Sequence, residues 1–159
     1  MRIFVTGGTG LVGRHTVAAL RARGESVLAL ARSDASAAAL ALAGADVLRG
    51  DVTDAVALER GVADCDAVVH AAAMVLDAAG WPEYQAANVA PTEAIATVAA
   101  RHGTHLVYLS SVAVYGRRGT YDGGPGSVRE DFGLDVPPLP GDYYARSKRD
   151  AELALWRVV

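Results

Sequence analysis

Short apolar runs alternate along the chain with longer, alanine-rich segments that have helical periodicity. The apolar runs are residues 3–5, 27–31, 47–48, 67–69 and 106–109, and the helical segments are residues 11–23, 37–42, 55–62 and 83–101. Such apolar runs suit strands that helices cover on both faces, and their alternation with helices is typical of a parallel sheet. The pattern therefore predicts an α/β fold with a doubly wound parallel sheet.

Glycines and prolines mark where this pattern stops. Gly24, Gly44, Gly61 and Gly103 stand at the ends of the four helical segments, where a glycine commonly ends a helix. Residues 116–141 are rich in glycine and proline and form a stretch too long for an ordinary connection. Because long ordered loops usually act as lids or binding loops, this stretch is predicted to be an active-site loop. A last helix is predicted to begin near residue 142, an aspartate suited to N-capping, and to continue through residue 156 to the end of the sequence.

A glycine-rich turn follows the first predicted strand and opens the first helix. It reads Thr6-Gly7-Gly8-Thr9-Gly10-Leu11-Val12-Gly13, with glycines at three-residue spacing. Glycines allow a tight turn and a close backbone approach, while the start of a helix offers free N–H groups and a positive dipole end to a pyrophosphate. The alternative interpretation is a plain tight strand-to-helix connection, but the placement of the turn favours nucleotide binding.

Several motifs together resemble the extended branch of the short-chain dehydrogenase/reductase superfamily. The family pattern T-G-x-x-G-x-x-G is met from Thr6 to Gly13, and the resemblance continues through residues 50–54, 69–73, 88–89, 110–116 and 144–148. It covers essentially the whole chain, in the family's order. It implies a Rossmann-type NAD(P)-binding domain over residues 1–159, similar to epimerase/dehydratase-like and reductase-like members. Family members continue into a C-terminal substrate-binding region, so the resemblance also implies that this sequence is an N-terminal portion.

The dinucleotide is predicted from the end of the second strand. Counting about 20 residues past the glycine turn, to find the acid that binds the ribose of NAD, leads to Asp34. The strand, however, is predicted to end at Ala31 and to be followed by Arg32, whose guanidinium suits a 2′-phosphate, with Arg14 in support. The sequence therefore predicts NADP. NAD stays the alternative, with Arg32 as a solvated loop residue and Asp34 as an ordinary helix cap.

The resemblance implies further contacts to the cofactor. Asp51 and Val52 would border the adenine, or else be a turn aspartate and a core valine. The small residues 71–73 suit a place where a cofactor passes close to the chain, or plain packing. His70 is interpreted as a buried imidazole, and no metal site is predicted, because no ligand cluster has suitable spacing. The predicted cofactor-binding residues are Thr6, Gly7, Gly10, Leu11, Val12, Gly13, Arg14, Arg32, Asp51, Val52, Ala71, Ala72, Ala73, Tyr144 and Lys148.

Candidate chemistry lies on the last predicted helix. Tyr144 and Lys148 are four residues apart, so their side chains share one face. A free tyrosine ionises near pH 10, and an adjacent ammonium favours the phenolate. Tyr144 is therefore predicted to exchange a proton with a carbonyl oxygen, whereas Tyr143 has Ser147 four residues on.

Two further catalytic residues are implied by the resemblance alone. Ser111 would bond the reacting oxygen through its hydroxyl, while Ser110 would be structural. Asn88 would help a chain of water molecules to carry protons past Lys148. The alternative is that Asn88 is a helix residue bonded to its local backbone.

Composition narrows the remaining possibilities. The 159 residues fit one domain or part of one, and 52% hydrophobic with 21% charged residues argue against disorder. A net charge of −3 offers no broad basic field, so nucleic acid is not an expected partner. No uninterrupted apolar stretch of about 18 residues is present, so no membrane partner is expected. The single cysteine, Cys65, and the lack of a signal-peptide pattern at the N-terminus predict a cytoplasmic protein.

Together these features predict an NADP-dependent enzyme of the oxidoreductase/epimerase type. It would transfer a hydride between the nicotinamide and a secondary alcohol or ketone. One alternative is an NAD-using nucleotide-sugar epimerase or dehydratase, and a non-enzymatic alternative is a dinucleotide-binding sensor or inactive fragment. The resemblance also implies a homodimer, formed through the helices predicted at residues 83–101 and 143–156.

Overall fold

A five-stranded parallel sheet forms the centre of the protein. The computed structural model describes residues 1–75, 79–116, 127–129, 131–134 and 137–158. The strands are β1 (Arg2–Thr6), β2 (Ser26–Ala31), β3 (Asp46–Arg49), β4 (Ala67–His70) and β5 (His105–Tyr108). Their order is β3-β2-β1-β4-β5, and every pair is parallel, which confirms the predicted Rossmann-type sheet. Because the strand order reverses beside β1, a crevice forms at the carboxyl ends of β1 and β4, where such sheets bind ligands.

Helices cover both faces of this sheet, as predicted. They are α1 (Leu11–Ala22), α2 (Asp34–Leu42), α3 (Ala55–Ala63), α4 (Trp81–Tyr84), α5 (Ala90–His102) and α6 (Tyr143–Val158). One core cluster joins Phe4 of β1 to Leu58 of α3 and Ile95 of α5. The other joins Val5 of β1 to helices α1 and α2. Successive residues of β1 thus enter opposite layers, which is what a doubly wound sheet requires.

Glycines end three of the predicted helices in the expected way. Gly24, Gly44 and Gly103 follow α1, α2 and α5 with φ of +78°, +79° and +64°, a left-handed conformation that favours glycine. The prediction for Gly61 is wrong, because α3 continues through it to Ala63. A Cβ at Gly61 would lie 2.3 Å from Cζ of Phe4, so this glycine instead lets α3 pack directly on an aromatic ring of the sheet.

The helix predicted over residues 83–101 is interrupted. After α4 the chain makes a π turn (Gln85–Val89), in which the N–H of Ala90 bonds the carbonyl of Gln85, and only then enters α5. Pro91 explains the change, since it has no N–H for the carbonyl four residues earlier and its ring crowds that carbonyl. Such single π turns often occur at functional sites, and this one carries Asn88.

Much of the predicted loop at residues 116–141 lies outside the described residues, so its role as an active-site loop stays a prediction. The start of the following helix is confirmed. Asp142 Oδ1 accepts a hydrogen bond from the N–H of Ala145 at 3.0 Å and caps α6. Among the helices within the described ranges, none has the length and apolar character needed to span a membrane.

Candidate functional site

The glycine turn forms a cradle that side chains would fill. Gly7 has φ of +71°, and a Cβ there would lie 2.5 Å from the backbone nitrogen of Ala72. A Cβ on Gly13 would lie 2.1 Å from the carbonyl oxygen of Gly7. Gly10 begins α1 with no side-chain cap, which leaves the first N–H groups of this helix available to an anion. The turn therefore has the form that a diphosphate requires.

A cleft of about 600 Å³ lies beside this turn at the carboxyl ends of the strands. The predicted cofactor residues that line it are Gly7, Gly10, Arg32, Asp51, Val52, Ala71, Ala72 and Ala73. Residues that the sequence analysis missed complete its lining: Thr9, Leu30, Ser33, Ser36, Gly50, Met74, Val75 and Ala87. The cleft has the volume of a ligand pocket and brings these separate segments together.

Several predicted cofactor residues are not part of this lining. Thr6 is fully buried below the turn, and Gly13 lies inside the first turn of α1. Leu11, Val12 and Arg14 are exposed on α1. Tyr144 and Lys148 belong to a second group of residues on α6. The predicted set therefore divides into residues that line the cleft, residues at or near the glycine turn that do not line it, and catalytic candidates on α6.

Arg32 and Asp51 form an ion pair within the lining of the cleft. Arg32 directly follows β2, which ends at Ala31 as predicted. Its Nη1 lies 3.7 Å from Asp51 Oδ2, and its side chain is 84% exposed. Asp34 instead pairs with Arg49 at 3.0 Å and does not line the cleft. At the end of β2 the guanidinium of Arg32 therefore lines the cleft, whereas the carboxylate of Asp34 does not.

The catalytic candidates gather at the end of β5. Lys148 is 3% exposed, and its Nζ donates to the carbonyl oxygen of Leu109 at 2.6 Å. The same nitrogen lies 4.5 Å from the centre of the Tyr108 ring, a cation–π distance. Tyr144 is half-buried one helical turn earlier, and Ser111 Oγ accepts from the N–H of Ala113 at 3.2 Å. Lys148 and Ser111 thus lie at the carboxyl end of β5, and Tyr144 precedes Lys148 by one turn of α6.

Burial makes Lys148 easier to deprotonate. Desolvation lowers its pKa to about 8, while the carboxylate of Glu152, one turn further along α6, opposes this shift. Ser110 Oγ donates to Glu152 Oε2 at 2.6 Å and so holds that carboxylate in place. Of the 15 lysine and arginine residues in the sequence, Lys148 is the only lysine. A buried lysine changes its pKa readily, whereas an arginine keeps its charge.

Lys148 is expected to titrate near pH 8 in the folded chain, because burial disfavours its charged form. With lysine labelled by ¹³C at Cε, one signal reports the midpoint, since the sequence contains no second lysine. Glu152→Gln should lower this midpoint further by removing the nearby negative charge. Glu59→Gln is the control, because Glu59 is an exposed carboxylate that pairs with His102 on another part of the surface. A wild-type midpoint at the ordinary value of 10.5 would contradict the assignment.

Asn88 connects the cleft wall to α6. Its Oδ1 accepts from the N–H of Met74 at 2.7 Å, and its Nδ2 donates to the Met74 carbonyl at 3.0 Å and to Ser147 Oγ at 2.8 Å. Ser147 Oγ in turn donates to the carbonyl of Tyr144 at 2.8 Å. These side-chain bonds reach well beyond the local backbone of its own helix. The predicted part of Asn88 in proton transfer stays a prediction.

His70 is a buried imidazole, as expected. It is 1% exposed, and burial lowers its pKa to about 3. Its ring stacks on that of Tyr108 with the centroids 5.7 Å apart. Within the described ranges, no three or more histidine, cysteine, aspartate or glutamate side chains are grouped so as to hold a metal ion.

Comparisons with known proteins agree with this geometry. Residues 3–159 match the model of the NAD-dependent epimerase/dehydratase family. The chain is 38% identical over 154 residues to a 4-hydroxy-2-methyl-3-oxo-4-farnesyl-3,4-dihydroquinoline-1-oxide ketoreductase of Stigmatella aurantiaca, covering 96% of this chain and 44% of that protein. It is 35% identical over 156 residues to a 2-alkyl-3-oxoalkanoate reductase of Stenotrophomonas maltophilia, again covering 96% and 44%. The chain thus spans less than half the length of these relatives.

A solved structure extends the comparison to the fold. The enzyme WbmG of Bordetella bronchiseptica, in complex with NAD and UDP, superposes on this chain with a TM-score of 0.77 at 30% identity. The alignment covers 98% of this chain and 49% of that one. The family match, the relatives and the shared fold lead to one conclusion: the chain belongs to the NAD-dependent epimerase/dehydratase family, within the extended short-chain dehydrogenase/reductase superfamily.

Proposed function

We propose that this chain is the dinucleotide-binding part of an NADP-dependent oxidoreductase that interconverts a ketone and a secondary alcohol. One observation carries the proposal: the buried Lys148, one turn after Tyr144, lies at the edge of the sheet that also holds the glycine-turn cleft. Asn88 links the two regions. The two reductase relatives support a carbonyl substrate, and a 3-oxoalkanoate is the substrate class that we favour.

The cleft residues suit the parts of a dinucleotide. The glycine turn and the start of α1 would hold the diphosphate, with Gly7 and Gly13 giving it room. Asp51 and Val52 would border the adenine, and residues 71–73 would lie along the nicotinamide half. When bound, the dinucleotide supplies or accepts the hydride.

The side chains on α6 and after β5 would handle the proton. Ser111 would donate a hydrogen bond to the substrate oxygen, and Tyr144 would deliver the proton to that oxygen during reduction. Lys148, one turn further along α6, would supply a positive charge to this group of residues. Asn88 holds α6 against the cleft wall, and we propose that its surroundings also take part in returning the proton to Tyr144.

Arg32→Ala tests the choice of dinucleotide. The wild-type chain is expected to bind NADP more tightly than NAD, because the guanidinium can bond a 2′-phosphate. The substitution should weaken NADP binding by about 10–100-fold and leave NAD binding nearly unchanged, as measured by calorimetry. Arg49→Ala is the matched control, since Arg49 pairs with Asp34 away from the cleft. A wild-type preference for NAD would overturn the NADP assignment.

The second candidate is an NAD-using enzyme that acts on nucleotide sugars. Two observations favour it: Asp51 already pairs with Arg32, and the superposed enzyme WbmG holds NAD and UDP. A non-catalytic dinucleotide-binding protein would bind cofactor and turn over no carbonyl substrate. We further propose a homodimer through the helices at residues 83–101 and 143–156, and a reducing, cytoplasmic location that suits the free, buried thiol of Cys65.

A further inference from the structure

A chain of buried hydrogen bonds runs behind the cleft. Thr6 Oγ1 lies 2.6 Å from His70 Nδ1, and His70 Nε2 lies 3.1 Å from Thr92 Oγ1. Thr92 Oγ1 donates to the carbonyl oxygen of Asn88 at 2.7 Å. At its other end, Thr6 Oγ1 accepts from the N–H of Ala72 at 3.4 Å. This series of hydrogen bonds thus starts at the cleft wall, passes below the glycine turn and ends on the π turn.

The direction of every hydrogen bond in this series follows from the carbonyl oxygen of Asn88 at its end. The Asn88 carbonyl can only accept, so the Thr92 hydroxyl donates its hydrogen bond to that oxygen. The Thr92 oxygen is then the acceptor for His70, which requires a hydrogen on Nε2. In the neutral ring Nδ1 carries no hydrogen, so it accepts from the Thr6 hydroxyl. One tautomer of His70 satisfies all of these bonds.

The two ends of this hydrogen-bond series lie at the cleft wall and at the π turn, which contacts α6. Ala72 lines the cleft, while Asn88 binds the backbone of Met74 in the same wall and Ser147 of α6. We propose that His70 is a positioning residue that, as the Nε2–H tautomer, joins the glycine turn to the π turn and so holds the cleft wall in register with α6. This proposal rests on the proposed function only where it concerns dinucleotide binding.

The surroundings of His70 favour a ring that stays neutral. Thr6 and Thr92 are 0% and 1% exposed, so both ring nitrogens face buried hydroxyl groups. Tyr108 stacks against the ring from β5, and the positive charge of Lys148 on α6 disfavours a second charge nearby. The Tyr108 hydroxyl lies beside that of Thr92, yet among the described residues it has no hydrogen-bond partner of normal geometry. The carboxylate of Glu152 acts on Tyr108 and Lys148, whereas the charge that acts on His70 is that of Lys148, which disfavours an imidazolium.

The tautomer is measured directly by long-range ¹H–¹⁵N correlation in the ¹⁵N-histidine-labelled chain. Four histidines give four patterns, and His70→Gln identifies that of His70 by its loss. The expected result is a neutral Nε2–H ring that does not titrate between about pH 5 and 8, where an ordinary histidine does. An Nδ1–H ring, or titration in that range, would overturn the proposal.

The coupling is tested with substitutions at Thr92, which does not line the cleft. Thr92→Val keeps the shape and removes the hydroxyl, so it should mix the His70 tautomers and weaken NADP binding about tenfold. Thr92→Ser restores the hydroxyl and should restore both properties. Thr97→Val is the matched control, because Thr97 makes the same type of bond to the carbonyl of Glu93, at 2.8 Å, on the exposed face of α5.

These outcomes separate the inference from the proposed function. If Thr92→Val changes neither the tautomer nor the affinity, the coupling is refuted whatever the enzyme does. If no dinucleotide binds even to the wild-type chain, the proposed function fails, and the tautomer spectra of the wild type and Thr92→Val still decide whether the chain of bonds is built as described. An equal effect of Thr97→Val would show that general helix stability explains the change and would also overturn the inference.

Discussion

Tyr144→Phe is expected to lower kcat of the complete protein by about 10²–10⁴-fold, because it removes the hydroxyl that exchanges the proton with the substrate oxygen. NADP affinity should change little, since Tyr144 does not line the described cleft. Reduction of a 3-oxoalkanoate, followed through oxidation of NADPH, measures the rate, and calorimetry measures the affinity.

Tyr143→Phe provides the control for this experiment. Tyr143 is the adjacent phenol, but its ring lies 6.4 Å from the rings of both Trp81 and Tyr84, in a packing cluster. Its rate should stay near that of the wild type. If both variants lost the same activity, or if Tyr144→Phe raised KM alone, Tyr144 would not be the proton donor.

Gly13→Ala should abolish dinucleotide binding and reduce the free energy of unfolding by about 3 kcal/mol or more. The added Cβ would lie 2.1 Å from the carbonyl oxygen of Gly7 and 2.9 Å from the Cα of Gly8. Both are backbone atoms, so the clash can be relieved only by moving the glycine turn itself. Urea denaturation gives the stability change, and calorimetry with NADP gives the affinity.

Gly103→Ala separates this clash from the general cost of replacing a glycine. Gly103 has φ of +64° and no atom within 4 Å of an added Cβ, so the substitution imposes backbone strain alone, about 1–2 kcal/mol. Its affinity for NADP should equal that of the wild type. Wild-type affinity in Gly13→Ala would mean that the glycine turn is not the diphosphate site.

Local signals made the fold and half of the site predictable. Strands buried on both faces leave apolar runs, and the glycine spacing from Gly7 to Gly13 reflects contacts within one turn. The pair of Tyr144 and Lys148 is set by helical spacing. Each of these features depends on only a few neighbouring residues, so the sequence pattern predicts it.

Features that depend on tertiary contact were missed or misread. Gly61 looks like a helix stop, yet its role is set by Phe4, far away in the sequence. Ser36, Met74 and Ala87 line the cleft because the sheet topology brings their segments together. The hydrogen bond between His70 and Thr92 joins a strand to a helix, and neither residue type predicts it from the sequence.

The amine content of this chain has a practical consequence. An acylating reagent finds two amino groups: the N-terminus, which pairs with Glu25 at 2.5 Å, and the side chain of Lys148. The first is at the surface, whereas the side chain of Lys148 is buried on the inner face of α6. Slow acylation of Lys148, followed on the peptide that contains it, therefore reports how often the inner face of α6 opens to solvent, and a bound ligand that stabilises the helix would slow this reaction.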